Sequence, residues 1–174
     1  MYILSQVLVG LADIFYVSSM LQKKKISLVF LLLISDILFA SHYVCLGAIT
    51  GGIIIYIDAL FLLVTYLLEK FNKHKYTLLA VIITMIATVI VTALTWRING
   101  AISLFPMFSM LVYLFGMIFK NLVFVKSGAL LRIVLNIIYM ILLTSYLGAV
   151  LECCLMISVI IGIIINIKNK KKEE

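Results

Sequence analysis

The stretch HYVCLGAITGGIIIYID, residues 42–58, decides the fold. It joins one long apolar run to the next, carries Gly47, Gly51 and Gly52 in its middle, and has His42 and Asp58 at its ends. Two readings compete: a reversal between two buried helices, or part of a site for something polar. Glycine reaches the positive φ that tight turns use, and a glycine near a helix start, such as Gly52, also lets two backbones approach closely. The reversal accounts for the glycines. It does not account for Asp58, which falls about seven residues, or roughly 10 Å at 1.5 Å per residue, into the following apolar run. The stretch therefore predicts a helical hairpin with an acid inside its second arm.

Working outward, the 174 residues are 66% hydrophobic and only 12% charged. A soluble domain carries about a quarter charged residues, so this chain's outer surface faces a lipid bilayer. One proline and nine glycines exclude a disordered or collagen-like chain. The first apolar run is not patterned as an export signal, because Lys23, Lys24 and Lys25 follow it and Asp13 interrupts it. It reads as a retained first helix. Cys45, Cys153 and Cys154 show no metal or redox spacing and read as small apolar fillers between helices.

A helix needs about 20 residues to cross the hydrocarbon layer. Cuts at charges and turn residues predict spans near 2–21, 26–46, 51–68, 76–96, 101–119, 127–146 and 149–167. Runs this long are not barrel strands, which alternate polar and apolar residues, and helices satisfy their own backbone groups in lipid. The fold class expected is an all-α integral membrane protein of seven helices. All twelve lysines then fall on one side, in the first, third and fifth loops and the tail, with Arg97 opposite and Arg132 near the inner end of the sixth helix. Basic loops stay cytoplasmic, which sets the N-terminus outside and the C-terminus inside. The same rule explains the net charge of +7 without nucleic acid as a partner. The tail cluster Lys168–Lys172 also suits anionic lipid.

A shift of about 100 residues superposes the first three spans on the last three, the kind of internal repeat common in carriers. Leu4, Leu11 and Phe15 meet Leu104, Leu111 and Phe115; Ser27 meets Ser127; Asp36 meets Asn136; Asp58 meets Ser158. The domains expected are 1–70 for the first three-helix bundle, 71–100 for a linker helix with its loops, 101–167 for the second bundle, and 168–174 for a basic tail. An odd linker gives both bundles the same orientation, so they are parallel repeats in a 3+1+3 order.

The pattern His42, Leu46, Gly47 and Gly52, with SYLGAVLE and its Gly148 and Glu152 near the last helix, resembles the YgjV-type family of bacterial inner-membrane proteins. The 3+1+3 order with its outside N-terminus is similar to the SWEET and PQ-loop transporter superfamily, whose Pro-Gln signature is scattered here as Gln6 and Pro106. The first resemblance implies a multi-pass protein of the bacterial inner membrane. The second implies a polar residue on the third helix of each bundle facing a central substrate site, which singles out Asp58 and Ser158.

Ionised acids inside a bilayer cost a few kcal/mol and so turn toward the bundle interior or find a partner. Asp13 and Asp36 fall near mid-depth, and Glu152 near the outer end of the last helix, within reach of water. Arg132 snorkels to the inner surface on this reading, which makes it a poor partner for Asp58. Asp36 and Asn136 either join helices by hydrogen bonds or bind solute; Asp13 and Asp36 either pair locally or carry a proton. His42 either bonds a loop carbonyl or relays protons. Pro106, which lacks a backbone donor, and Gly52 are candidate gating positions. A metal site drawn from His42, Cys45, Glu152 and Cys153 fits no known ligand spacing, so no metal is expected. No nucleophile or phosphate-loop motif appears, so neither an enzyme nor a cofactor is expected. The function expected is a carrier for a small polar solute, neutral polyhydroxy or cationic; the competing reading is a non-transporting subunit or regulator of a larger complex. Self-association into a homo-oligomer stays open.

Overall fold

The computed structural model describes residues 2–45, 47, 49–119, 121–142 and 146–173, and the side chains of these except at 2–4, 6, 74, 98, 99, 146–148 and 170–173. Leu46, Lys120, the start of the SYLGA reversal at Ser145, and the side chains of Gln6, Lys170, Lys171 and Lys172 lie outside the described residues. The helices are α1 (Tyr2–Met20), α2 (Lys25–Cys45), α3 (Ile49–Lys70), α4 (Thr77–Asn99), α5 (Leu104–Met117), α6 (Leu122–Leu142) and α7 (Tyr146–Glu173). Single 3-10 turns, His74–Tyr76 and Gly100–Ser103, precede α4 and α5. No strand occurs among the described residues. Six segments are long and apolar enough to cross a membrane, from Lys25–Cys45 through Ala149–Asn169, and Val7–Met20 is a shorter apolar helix.

Most helix ends fall close to the expected spans, and the differences matter more than the agreement. Helix α6 begins at Leu122, about one turn earlier than residue 127, so Lys126 is a helical residue and not a loop lysine. Helix α7 begins at Tyr146 instead of 149. Helix α3 begins at Ile49, so Gly51 and Gly52 lie inside its first turn and do not break it. The reversal uses Gly47, with φ of 77°, and Gly52 packs where an added Cβ would sit 3.1 Å from Val44 of α2.

The outer surface is built for lipid. On α4, Thr77, Val81, Thr84, Thr88, Thr92 and Thr95 form one buried stripe, spaced at the three- and four-residue steps of a helix face. The hydroxyls of Thr84, Thr88, Thr92 and Thr95 donate back to carbonyls one turn earlier, 2.8–2.9 Å away, which satisfies them without water. The rest of that helix exposes Leu78, Ile83, Ile86, Ile90 and Leu94. Cys153 and Cys154 are likewise exposed and only Cys45 is half-buried, so the two adjacent cysteines face outward instead of filling an interface.

Helices pack mainly with their sequence neighbours: α1 on α2, α2 on α3, α5 on α6 and α6 on α7. Helix α4 rests on α3 and α5, and the ring closes through contacts of α1 with α7. Helices α5 and α6 cross where Gly116 meets Gly128, each so near that a Cβ on one would sit 3.1 Å from the Cα of the other. Lys25 reaches both Glu69 near the end of α3 and the carbonyl of Met117 at the end of α5, which gathers the turns after α1, α3 and α5 at one end of the bundle. The main core cluster, including Met20, Leu32, Leu62, Tyr113, Ile133 and Leu155, runs through the middle.

Candidate functional site

Arg132 organises the centre. It is the eleventh of the twenty-one residues of α6, which puts it at mid-helix and not at the inner end. Its side chain is 12% exposed, donates to Asp58 of α3, lies 3.9 Å from Asp36 of α2, and stacks with its guanidinium 4.9 Å from the ring centre of Tyr113 on α5. The expectation of a snorkelling arginine is corrected by the earlier start of α6, which sinks this residue by more than a turn. A delocalised cation with several donors suits such a place, because it can serve two acids and an aromatic face together.

Asp36 and Asp58 are both buried and both face Arg132. One oxygen of each, Asp36 Oδ2 and Asp58 Oδ1, accepts no hydrogen bond from the described residues. Two carboxyls beside one guanidinium exceed its charge.

One turn along α6, Asn136 donates to Glu152 of α7 at 3.3 Å. Glu152 is buried; the early start of α7 makes it the seventh residue of that helix. Two small cavities, each of about 30 Å³, flank these groups. The first is lined by Tyr16, Asp36, Tyr43, Arg132, Asn136 and Glu152 among others; the second by Gly51, Pro106, Ser109, Arg132, Asn136 and Tyr139 among others. Each has room for a water or two, and both share Tyr43, Ile55, Arg132 and Asn136.

Of the residues singled out from sequence, Asp36, Asn136 and Pro106 line these cavities, and Asp58 joins them through Arg132. Ser158 does not line either; its hydroxyl donates to the Leu155 carbonyl of its own helix at 2.6 Å. Asp13 is half-buried on α1, outside both linings, with its Oδ1 buried and without a hydrogen-bond partner among the described residues. His42 Nδ1 lies 2.8 Å from both the hydroxyl and the carbonyl of Ser5, a helix-to-helix tie away from the cavities. Gly52 serves the α2–α3 contact. Sequence reasoning missed Arg132 as the hub, along with Tyr16, Tyr43, Tyr113 and Tyr139. The available signal was the arginine itself, since an intramembrane cation calls for an acid partner.

Comparison with known families decides the relationship. The bacterial inner membrane protein family Imp-YgjV matches residues 3–170. The chain belongs to that family. As a member of Imp-YgjV it is a multi-pass protein of the bacterial inner membrane, as its helices require. No curated protein and no solved structure matches this YgjV-family chain.

Proposed function

We propose that this YgjV-family protein carries a small polar solute across the inner membrane by alternating access. On this reading the chain crosses the membrane seven times, with its N-terminus outside and its C-terminus in the cytoplasm. The halves 1–70 and 101–167 move against one another while α4 links them. The observation that supports it best is the central polar cluster, to which Asp36 and Asp58 come from one half and Arg132, Asn136 and Glu152 from the other. Buried charge at that depth, shared between two halves and flanked by cavities, is expensive in a lipid-facing protein and marks a solute or proton path in many carriers. Three carboxyls against one guanidinium favour a neutral polyhydroxy or a cationic solute over an anion. The reading needs no cofactor and no enzymatic step.

A second reading, a non-transporting subunit, draws on the size of the cavities, since about 30 Å³ each is too little for any solute larger than water without movement. The two separate in proteoliposomes. A carrier takes up at least one solute from a panel of small polyols, sugars and amines, with or without a pH gradient, and loses that uptake in Asn136→Leu and Asp58→Asn. Absence of flux for every solute, with a constant co-purifying partner, supports the subunit instead.

A further inference from the structure

Two lysines make the same kind of contact in opposite directions. Lys25, the first residue of α2, donates to the carbonyls of Met117 and Phe119 at 3.4 Å each and pairs with Glu69 Oε1 at 3.1 Å. Lys126, near the start of α6, donates to the carbonyls of Gln22 and of Gly162 in α7 at 3.2 Å each. Gln22 follows Met20, the end of α1, as Phe119 follows Met117, the end of α5. Each half thus sends a lysine from the start of its middle helix to the carbonyl end of the other half's first helix.

The chemistry of the two receivers is the same. A helix C-terminus leaves its last carbonyls without intrahelical partners and bears partial negative charge, so an ammonium there is held by hydrogen bonds and by the dipole together. Lys126 is placed about one turn further into its helix than Lys25 and is fully buried, whereas the Lys25 side chain is 11% exposed. No acid pairs with Lys126 among the described residues. Its charge is compensated only while α1 and α7 stay where they are. They stay close because residue 162 is glycine: a Cβ there would lie 2.2 Å from the Met20 carbonyl oxygen.

We infer that Lys25 and Lys126 are crossed latches that shut the lysine-rich end of the bundle, and that the structure is the state in which this mouth is closed. As a gate for a solute the inference rests on the carrier reading; as a closure of that end it stands on geometry alone. Opening this end means lifting each lysine from the opposite helix end, so the two latches must release together. Loss of either should populate an open form.

Solvent access to the path between latch and cavity provides the test. In a background lacking Cys45, Cys153 and Cys154, Val159→Cys serves as reporter. Val159 is fully buried, about one turn from Leu155 of the first cavity and from Gly162 of the latch. Leu62→Cys, on α3 and equally buried, is a second reporter should the first misfold. A membrane-impermeant maleimide is applied to either face of oriented vesicles. Lys25→Met or Lys126→Met should raise labelling roughly tenfold to a hundredfold, the shift expected for one lost charge-assisted hydrogen bond. The rise should come from the lysine-rich face only, with Lys→Arg near the parent rate. Unchanged labelling, or an equal rise from both faces, overturns the latch. A one-sided rise in a protein that moves no solute upholds the latch and refutes the carrier.

Discussion

Arg132→Met is the most informative single change. It removes the guanidinium that holds Asp58 and faces Asp36 at 3.9 Å, and it leaves two carboxyls whose side chains are 0% and 2% exposed, with no other cation beside them among the described residues. Removing one partner of a buried ion pair costs about 3–5 kcal/mol. Proton uptake by the stranded acids limits the penalty, since neutralisation replaces the larger cost of keeping a buried charge. Methionine fills much of the arginine's volume, so cavity formation adds little. Asp58→Asn alone should cost less, about 1–3 kcal/mol, because Arg132 keeps Asp36 and Tyr113. The double variant should then lie well below the sum of the two, with a coupling of about 1–3 kcal/mol. Reversible unfolding of the purified protein in mixed micelles, followed by helix signal, reads all four corners of the cycle. Additive losses, or an Arg132→Met loss under about 1 kcal/mol, would refute the claim that Arg132 is the hub of a buried cluster.

Gly128→Ala should destabilise by about 1–3 kcal/mol through overpacking, because the new methyl meets the backbone of Gly116 at 3.1 Å; a neutral result in the same unfolding assay would mean that α5 and α6 can part freely. Gly162→Ala should be at least as damaging and should also speed thiol labelling from the lysine-rich face, since 2.2 Å to the Met20 carbonyl leaves α7 no choice but to move. His42→Phe should lose the tie to Ser5 and about 1 kcal/mol of stability while leaving any solute uptake intact; abolished uptake would restore a proton-relay role to His42.

The helices were legible in the sequence because apolar runs of about 20 residues have few other readings. What the runs could not supply was the depth of each polar residue. Lys126 reads as a loop residue because a lysine inside a span is costly; the acceptors that make it tolerable, Gln22 and Gly162, lie 104 and 36 residues away in the chain. Taking Lys126 for the loop moved the start of α6 and carried Arg132 toward the surface with it. One misplaced turn thereby hid the hub of the site. Asp36, Asp58 and Asn136 were found because an isolated polar group in an apolar run is conspicuous whatever its depth. Ser158 was proposed by its correspondence with Asp58, but a serine can return its hydroxyl to its own helix, an option closed to a carboxylate.

Lys126 and Arg132, two cations inside the bundle, both ride on α6, which makes this segment costly to release from the translocation machinery into lipid. The groups that receive them, Gln22 in the turn after α1, Asp36 and Asp58, belong to segments the ribosome has already delivered. Only Gly162 is still to come. Synthesis from the N-terminus thus has these receptors waiting before the positive segment arrives, and a chain rearranged to make α6 first would have to insert two bare cations.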